Sequence, residues 1–180
     1  MSAMTDKATI HDVGTCSAAY RTDADGLAHW TTTHAHAWIG LLETHKQLTR
    51  ALDAELTAQH GLSLSALELL ARLAAAEDRQ LHLSALAAAS GLSLSRVSRI
   101  IDTLQERGLV ARVACPKDAR AVHAKLSETG LKLVVAAQST HFASVQTAFF
   151  DLLDEDEIAT LARVFEKFAP GGAAECTAAG

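Results

Sequence analysis

Aromatic residues make up only 4% of this 180-residue chain, and it has only two prolines. With so few rings the core must come from Leu, Ala and Val, which supply most of the 49% apolar fraction. Scarce proline and abundant alanine favour helix over sheet. Cysteine is sparse as well: Cys16, Cys115 and Cys176 are odd in number, widely scattered and without CxxC spacing. That argues against a disulfide framework and a zinc knuckle. No apolar run reaches the roughly 18 residues a membrane span needs. The opening "MSAMTDKATIHDVGTCSAAY" has no apolar core of the signal-peptide kind, so a cytoplasmic location is expected. Gly-rich phosphate loops, a nucleophile elbow and the HExxH spacing are all missing, so no catalytic residue, resident metal or cofactor is expected.

Charge is present but uneven. The segment Gly91–Lys125 holds seven basic and three acidic residues, a net +4, whereas the whole chain carries −5 and the remainder therefore −9. An anionic partner would dock on that segment.

Apolar spacing organises the chain. Trp38, Leu41, Leu42, His45, Leu48, Leu52 and Leu56 advance by three and four, which predicts a long helix from about His29 to Gln59, ended by Gly61. Ser63 or Ser65 caps a second helix over about Leu64–Ala76, with Ser65 and Glu68 in capping-box spacing. Arg79–Leu83 alternates and reads as a short strand. Ser84 opens a short helix closed by Gly91, and Ser93 caps another that runs to Gly108 with Val97, Ile100, Ile101 and Leu104 as its inner stripe. Two helices around so tight a corner are a helix-turn-helix. The period then changes to two: Val110–Ala114 runs out, "CPKDAR" turns, and Val122, Ala124 and Leu126 return, a β-hairpin. Ser127 caps a long helix carrying Leu131, Val134, Gln138, Phe142, Val145 and Phe149 on one side. A last helix starts at Asp154 with Glu157 in capping-box spacing, and Ile158, Leu161, Phe165 and Phe168 are expected to point inward.

The front of the Ser93-capped helix, "GLSLSRVSRIIDTLQERGLV", crowds Ser95, Arg96, Ser98 and Arg99 into two turns. The second helix of a helix-turn-helix lies in the DNA major groove with its first residues at the base edges. Arginine suits guanine O6 and N7, and serine suits phosphates or bases. Lys117 and Arg120, at or near the hairpin tip, suit the negative potential of an adjacent minor groove, and Asp118 is placed to orient Arg120.

With "GLSLSRVSRIIDTLQERGLVAR" followed by "DARAVHAKLSETG", the chain resembles the multiple-antibiotic-resistance regulator (MarR) family of winged helix-turn-helix regulators. The second segment matches the family's wing signature at Asp118, Arg120, Leu126, Ser127 and Gly130, and helix order agrees over roughly Leu27–Phe168. The resemblance implies Arg120 as the minor-groove arginine, Asp118 as its supporting acid, and Ser95, Arg96, Ser98 and Arg99 as the reading front.

The expected fold is mainly α with a small β-hairpin wing: a mobile arm at 1–26, dimerisation helices at 27–60 and 128–170, a winged helix-turn-helix at 61–127 and a frayed tail at 171–180. The expected function is a homodimeric, ligand-responsive repressor of transcription that binds double-stranded DNA at a near-palindromic site. Trp38 and His45, seven residues apart on one helix face, are either core or interface residues, or the wall of a pocket for an aromatic-acid or phenolic effector. His34 and His36 point to opposite sides of a helix, and His34 and His45 lie about 16 Å apart along it, so only a metal site assembled from distant segments stays open. The contrasting readings are a metal- or redox-sensing regulator of the same fold and a helical protein-interaction module.

Overall fold

The computed structural model describes residues 19–115 and 118–168, with backbone alone at 114, 115 and 118–121. Two compact units divide the chain after Lys46, inside its first long helix.

The first unit opens with a feature absent from the sequence reading. Strands β1 (Tyr20–Thr22) and β2 (Ala28–Trp30) pair antiparallel, with Tyr20 opposite Trp30. Their rings meet edge to face at 6.2 Å. Asp23 organises the turn: Oδ1 accepts from the Asp25 and Leu27 amides at 3.0 and 2.8 Å, and Oδ2 lies 2.9 Å from His29 Nε2. The His29 imidazole, then the Leu27 amide, hold the Asp23 carboxyl below its ordinary range. Helix α1 therefore begins at Thr32, not near His29, and runs to His60. Three-residue strands are too short for a period of two to show.

The expected α1 stripe is only partly buried. Leu52 and Leu56 are covered, whereas Trp38 (50% exposed), Leu41, Leu42 and His45 face outward.

In the second unit, Ser63 caps α2 (Leu64–Ala75) by accepting from the Ala66 amide at 3.2 Å. The Ser65–Glu68 capping box does not form. Ser65 already lies within the helix, and Glu68 pairs with Arg72 at 3.0 Å. Strand β3 (Gln80–His82) leads into α3 (Leu83–Ser90), where Ser84 is internal and uncapped His82 precedes the helix. Gly91, at φ 66°, ends α3 in the left-handed conformation that only glycine adopts cheaply. Two residues on, Ser93 caps α4 (Leu94–Glu106) through the Arg96 amide. Strands β4 (Val110–Cys115) and β5 (Asp118–Leu126) form the hairpin, and β3 adds to its other side in the order β3-β5-β4, all antiparallel.

Ser127 caps α5 (Glu128–Ala148), and α6 (Glu155–Glu166) opens with the full Asp154–Glu157 capping box. Leu69, Leu70 and Leu73 of α2, Leu86 of α3, and Val97 and Ile101 of α4 are wholly buried in one core, which Ala124 of β5 and Val134 and Ala137 of α5 share. Outside that core the helices α5 and α6 are less covered, and the inward direction expected for α6 changes. Of the α5 side read from sequence, only Val134 is buried, while Phe142 is 67% exposed. No residue of α6 is buried, and Phe165 and Phe168 face outward, Phe168 at 81%. Periodicity shows which side chains share a face but not whether one chain can cover them.

Candidate nucleic-acid interface

Two polar contacts set the position of α4. At its C-terminal end Arg107 donates to the carbonyls of Gly61 (2.6 Å) and His60 (3.1 Å). A guanidinium there satisfies carbonyls that α1 leaves unpaired and complements its negative end. On the wing side, Arg112 Nη2 donates to Asp102 Oδ1 (2.7 Å) and to the hydroxyl and carbonyl of Ser98 (2.8 and 3.3 Å). Arg107 and Arg112 are thus two of the seven basic residues in Gly91–Lys125, but their charge is engaged inside the fold. Sequence did not single out either one, because an arginine that clamps a helix and one that reaches a ligand look alike on a helical wheel.

Because the inner stripe Val97, Ile101 and Leu104 is buried, the opposite face of α4 is turned out by geometry alone. Ser95, Arg96 and Arg99 are exposed on it, with Arg96 and Arg99 three residues apart and therefore neighbours. Arg99 makes no side-chain hydrogen bond to any described residue, while Arg96 Nη2 makes a long 3.5 Å contact with Ser65 Oγ at the start of α2. Ser95 Oγ is 3.2 Å from the capping Ser93 Oγ. Ser98 differs from its companions: half-buried, it accepts from Arg112 and supports the wing root. Leu94, 53% exposed at the first position of α4, joins this front; it went unremarked in the sequence because it reads as one more leucine of an apolar stripe. Lys117 and the side chains of Asp118 and Arg120 lie outside the described residues. The backbone places Asp118 opposite Cys115 at the end of the hairpin, after a register irregularity at Ala114 and Cys115.

Arg107→Ala should lower stability in urea unfolding by about 1 kcal/mol, the scale of a charge-assisted bond partly screened by solvent. It should also weaken DNA binding without changing its salt slope, since no phosphate contact is removed.

A groove between α1 and α5, which shares no residue with this front, has a volume of about 590 Å³. Glu55, Gln59, Ser139, Thr140, Ser144 and Thr147 line it together with Leu52 and alanines. His60 Nε2 and Thr140 Oγ1 meet beside it at 2.8 Å. Trp38 and His45 do not line it.

Comparison with known proteins agrees with this geometry. The MarR family model matches residues 60–121, from the end of α1 into the hairpin. AbsC, a MarR family transcriptional regulator from Streptomyces coelicolor, is 32% identical, with a TM-score of 0.72 over 78% of this chain and 95% of its own. Sco3205, another MarR family regulator from the same organism, solved in complex with DNA, is 27% identical, with a TM-score of 0.73 over 79% and 90%. A mutant MarR from E. coli complexed with operator DNA shares the fold at 22% identity, with a TM-score of 0.64 over 76% and 94%. No curated protein matches the sequence. With its helix-turn-helix, its wing and a 32% identical relative spanned almost end to end, this chain belongs to the MarR family of winged-helix transcriptional regulators.

Proposed function

We propose that this regulator acts in the cytoplasm as a homodimer that represses transcription from a near-palindromic operator and is released by a small ligand. The observation that carries the reading is the outer front of α4. Ser95, Arg96 and Arg99 stand exposed on a helix whose other face is locked into the core, whose C-terminal end is tied to the end of α1 and whose middle is tied to β4. The DNA complexes of Sco3205 and of E. coli MarR support it, as proteins of the same fold engaged with DNA. Lys117 and Arg120 extend the contact to the minor groove, with Asp118 in support.

Pairing of two chains is supported by apolar surface that a single chain leaves uncovered: Trp38, Leu41 and Leu42 on α1, Phe142 on α5, and Phe165 and Phe168 at α6 and just past it. Monomers rarely leave so many large apolar side chains exposed without a partner. Sedimentation at micromolar concentration should show a dimer, and a folded monomer there would overturn the assembly.

For release, Trp38 and His45 offer an aromatic wall and a titratable group to a phenolic or aromatic acid. Such an effector needs unequal affinity for two arrangements of the α4 pair; about 100-fold supplies roughly 2.7 kcal/mol. Titration with a panel of these acids should quench Trp fluorescence and release DNA, and His45→Ala should weaken both. Equal sensitivity of the variant would remove His45 from the site.

A further inference from the structure

We propose that His82 of β3 and His123 of β5 form a two-histidine binding site for a late divalent transition ion such as Zn²⁺ or Ni²⁺. The two residues are direct partners in the antiparallel β3–β5 ladder. Their ring centroids lie 3.7 Å apart with the planes tilted by 36°. Leu81 and Ala124, their neighbours in sequence, are also paired across the strands; Ala124 is buried in the core and Leu81 packs against it. Side chains alternate along a strand, so both imidazoles stand on the opposite, outer face of the sheet, where an ion arrives from solvent. Both are half-buried, and their backbones are fixed by the ladder, which limits the conformational freedom lost on binding.

Imidazole chemistry gives this pair a metal-binding capacity beyond stacking. Imidazole nitrogen binds Zn²⁺ and Ni²⁺ at about 2.0–2.1 Å, so two ligands on one ion sit roughly 3 Å apart. Rings 3.7 Å apart at their centres are stacked, and binding one ion requires them to splay about their side-chain bonds until one nitrogen of each faces it. Among the described residues no cluster of three or more His, Cys, Asp or Glu side chains is placed to hold an ion, so water completes the coordination shell and micromolar affinity is expected. Bound, the ion joins the three-residue edge strand β3 to the wing strand β5. Since imidazole binds metal only when unprotonated, affinity falls as pH falls. The site does not depend on the DNA-binding reading, and it joins segments 41 positions apart, which sequence spacing cannot reveal.

The test is Ni²⁺ titration of the untagged full-length chain by calorimetry, with proton NMR of the histidine rings. His82→Phe and His123→Phe each keep a ring in the strand pair while removing the ligating nitrogens. Wild type should bind one Ni²⁺ that either variant weakens at least tenfold, and the ring signals of His82 and His123 should broaden first. The broadening stands on wild type alone, so a poorly folded variant leaves the test intact. Variants that bind Ni²⁺ as wild type does, broadening confined to other histidines, or no saturable site in wild type would overturn the proposal.

Discussion

Gly130→Ala should cost about 3 kcal/mol or more, the upper end of what overpacking does in a closed core. A β-carbon at Gly130 would sit 2.1 Å from the Leu109 carbonyl oxygen and 2.7 Å from Leu126 Cδ1. The leucine side chain can yield, but the carbonyl cannot do so cheaply. Leu109 O already accepts from the Ser127 amide and hydroxyl, both at 3.0 Å, while the same hydroxyl caps α5 through the Gly130 amide at 2.9 Å. One short knot therefore joins the entry to β4 with the start of α5, and the missing side chain at position 130 lets the two backbones touch. Against a total stability of about 5–15 kcal/mol the loss is large. The melting temperature should fall by roughly 6–12 °C for a chain of this length. Gly40→Ala is the natural control: it lies within α1 with nothing within 4 Å, and should stabilise the helix by about 0.5–1 kcal/mol. A Gly130→Ala protein melting with wild type would mean that α5 does not start against Leu109.

Arg99→Ala should weaken binding to the cognate DNA site by about 1–3 kcal/mol and relax base selection at one or two positions, as expected for loss of a bidentate guanine contact. Arg99 is the clearer of the two front arginines, since it is exposed without a side-chain partner among the described residues. Arg96 must first leave its long contact with Ser65, so Arg96→Ala should cost less. Selection-and-sequencing of bound DNA distinguishes reading from positioning: a phosphate contact would weaken all sequences alike and flatten the salt dependence. Unchanged affinity and selectivity in both variants would remove the front of α4 from the interface.

Most of the DNA lobe was legible in the sequence because local chemistry dictated it. Ser63, Ser93 and Ser127 are side chains that cap helices, Gly91 supplies a positive φ, and the change of period after Gly108 marks the hairpin. The Ser65–Glu68 capping box failed for a local reason too. Ser63 stands two residues earlier with equal capping chemistry, and spacing alone cannot choose between them. The N-terminal hairpin was missed because two three-residue strands are held by one aspartate and one aromatic pair, a signal below any periodicity. The roles of Arg107 and Arg112 needed tertiary neighbours 46 and 10 residues away. The same holds for His82 and His123, which meet only through strand pairing. For α6 the sequence showed which side chains share a face but pointed them inward, whereas Phe165 and Phe168 face outward; on α5 the shared side buries Val134 and leaves Phe142 exposed.

The central claim, that two copies of α4 read two half-sites, is tested most directly by hydroxyl-radical footprinting of the wild-type protein on DNA flanking its own gene. The account predicts two protected patches related by a near two-fold repeat, centred roughly 34–36 Å or one helical turn apart, fading together as salt rises. A single unrepeated patch, or uniform protection without preference for any sequence, would contradict it.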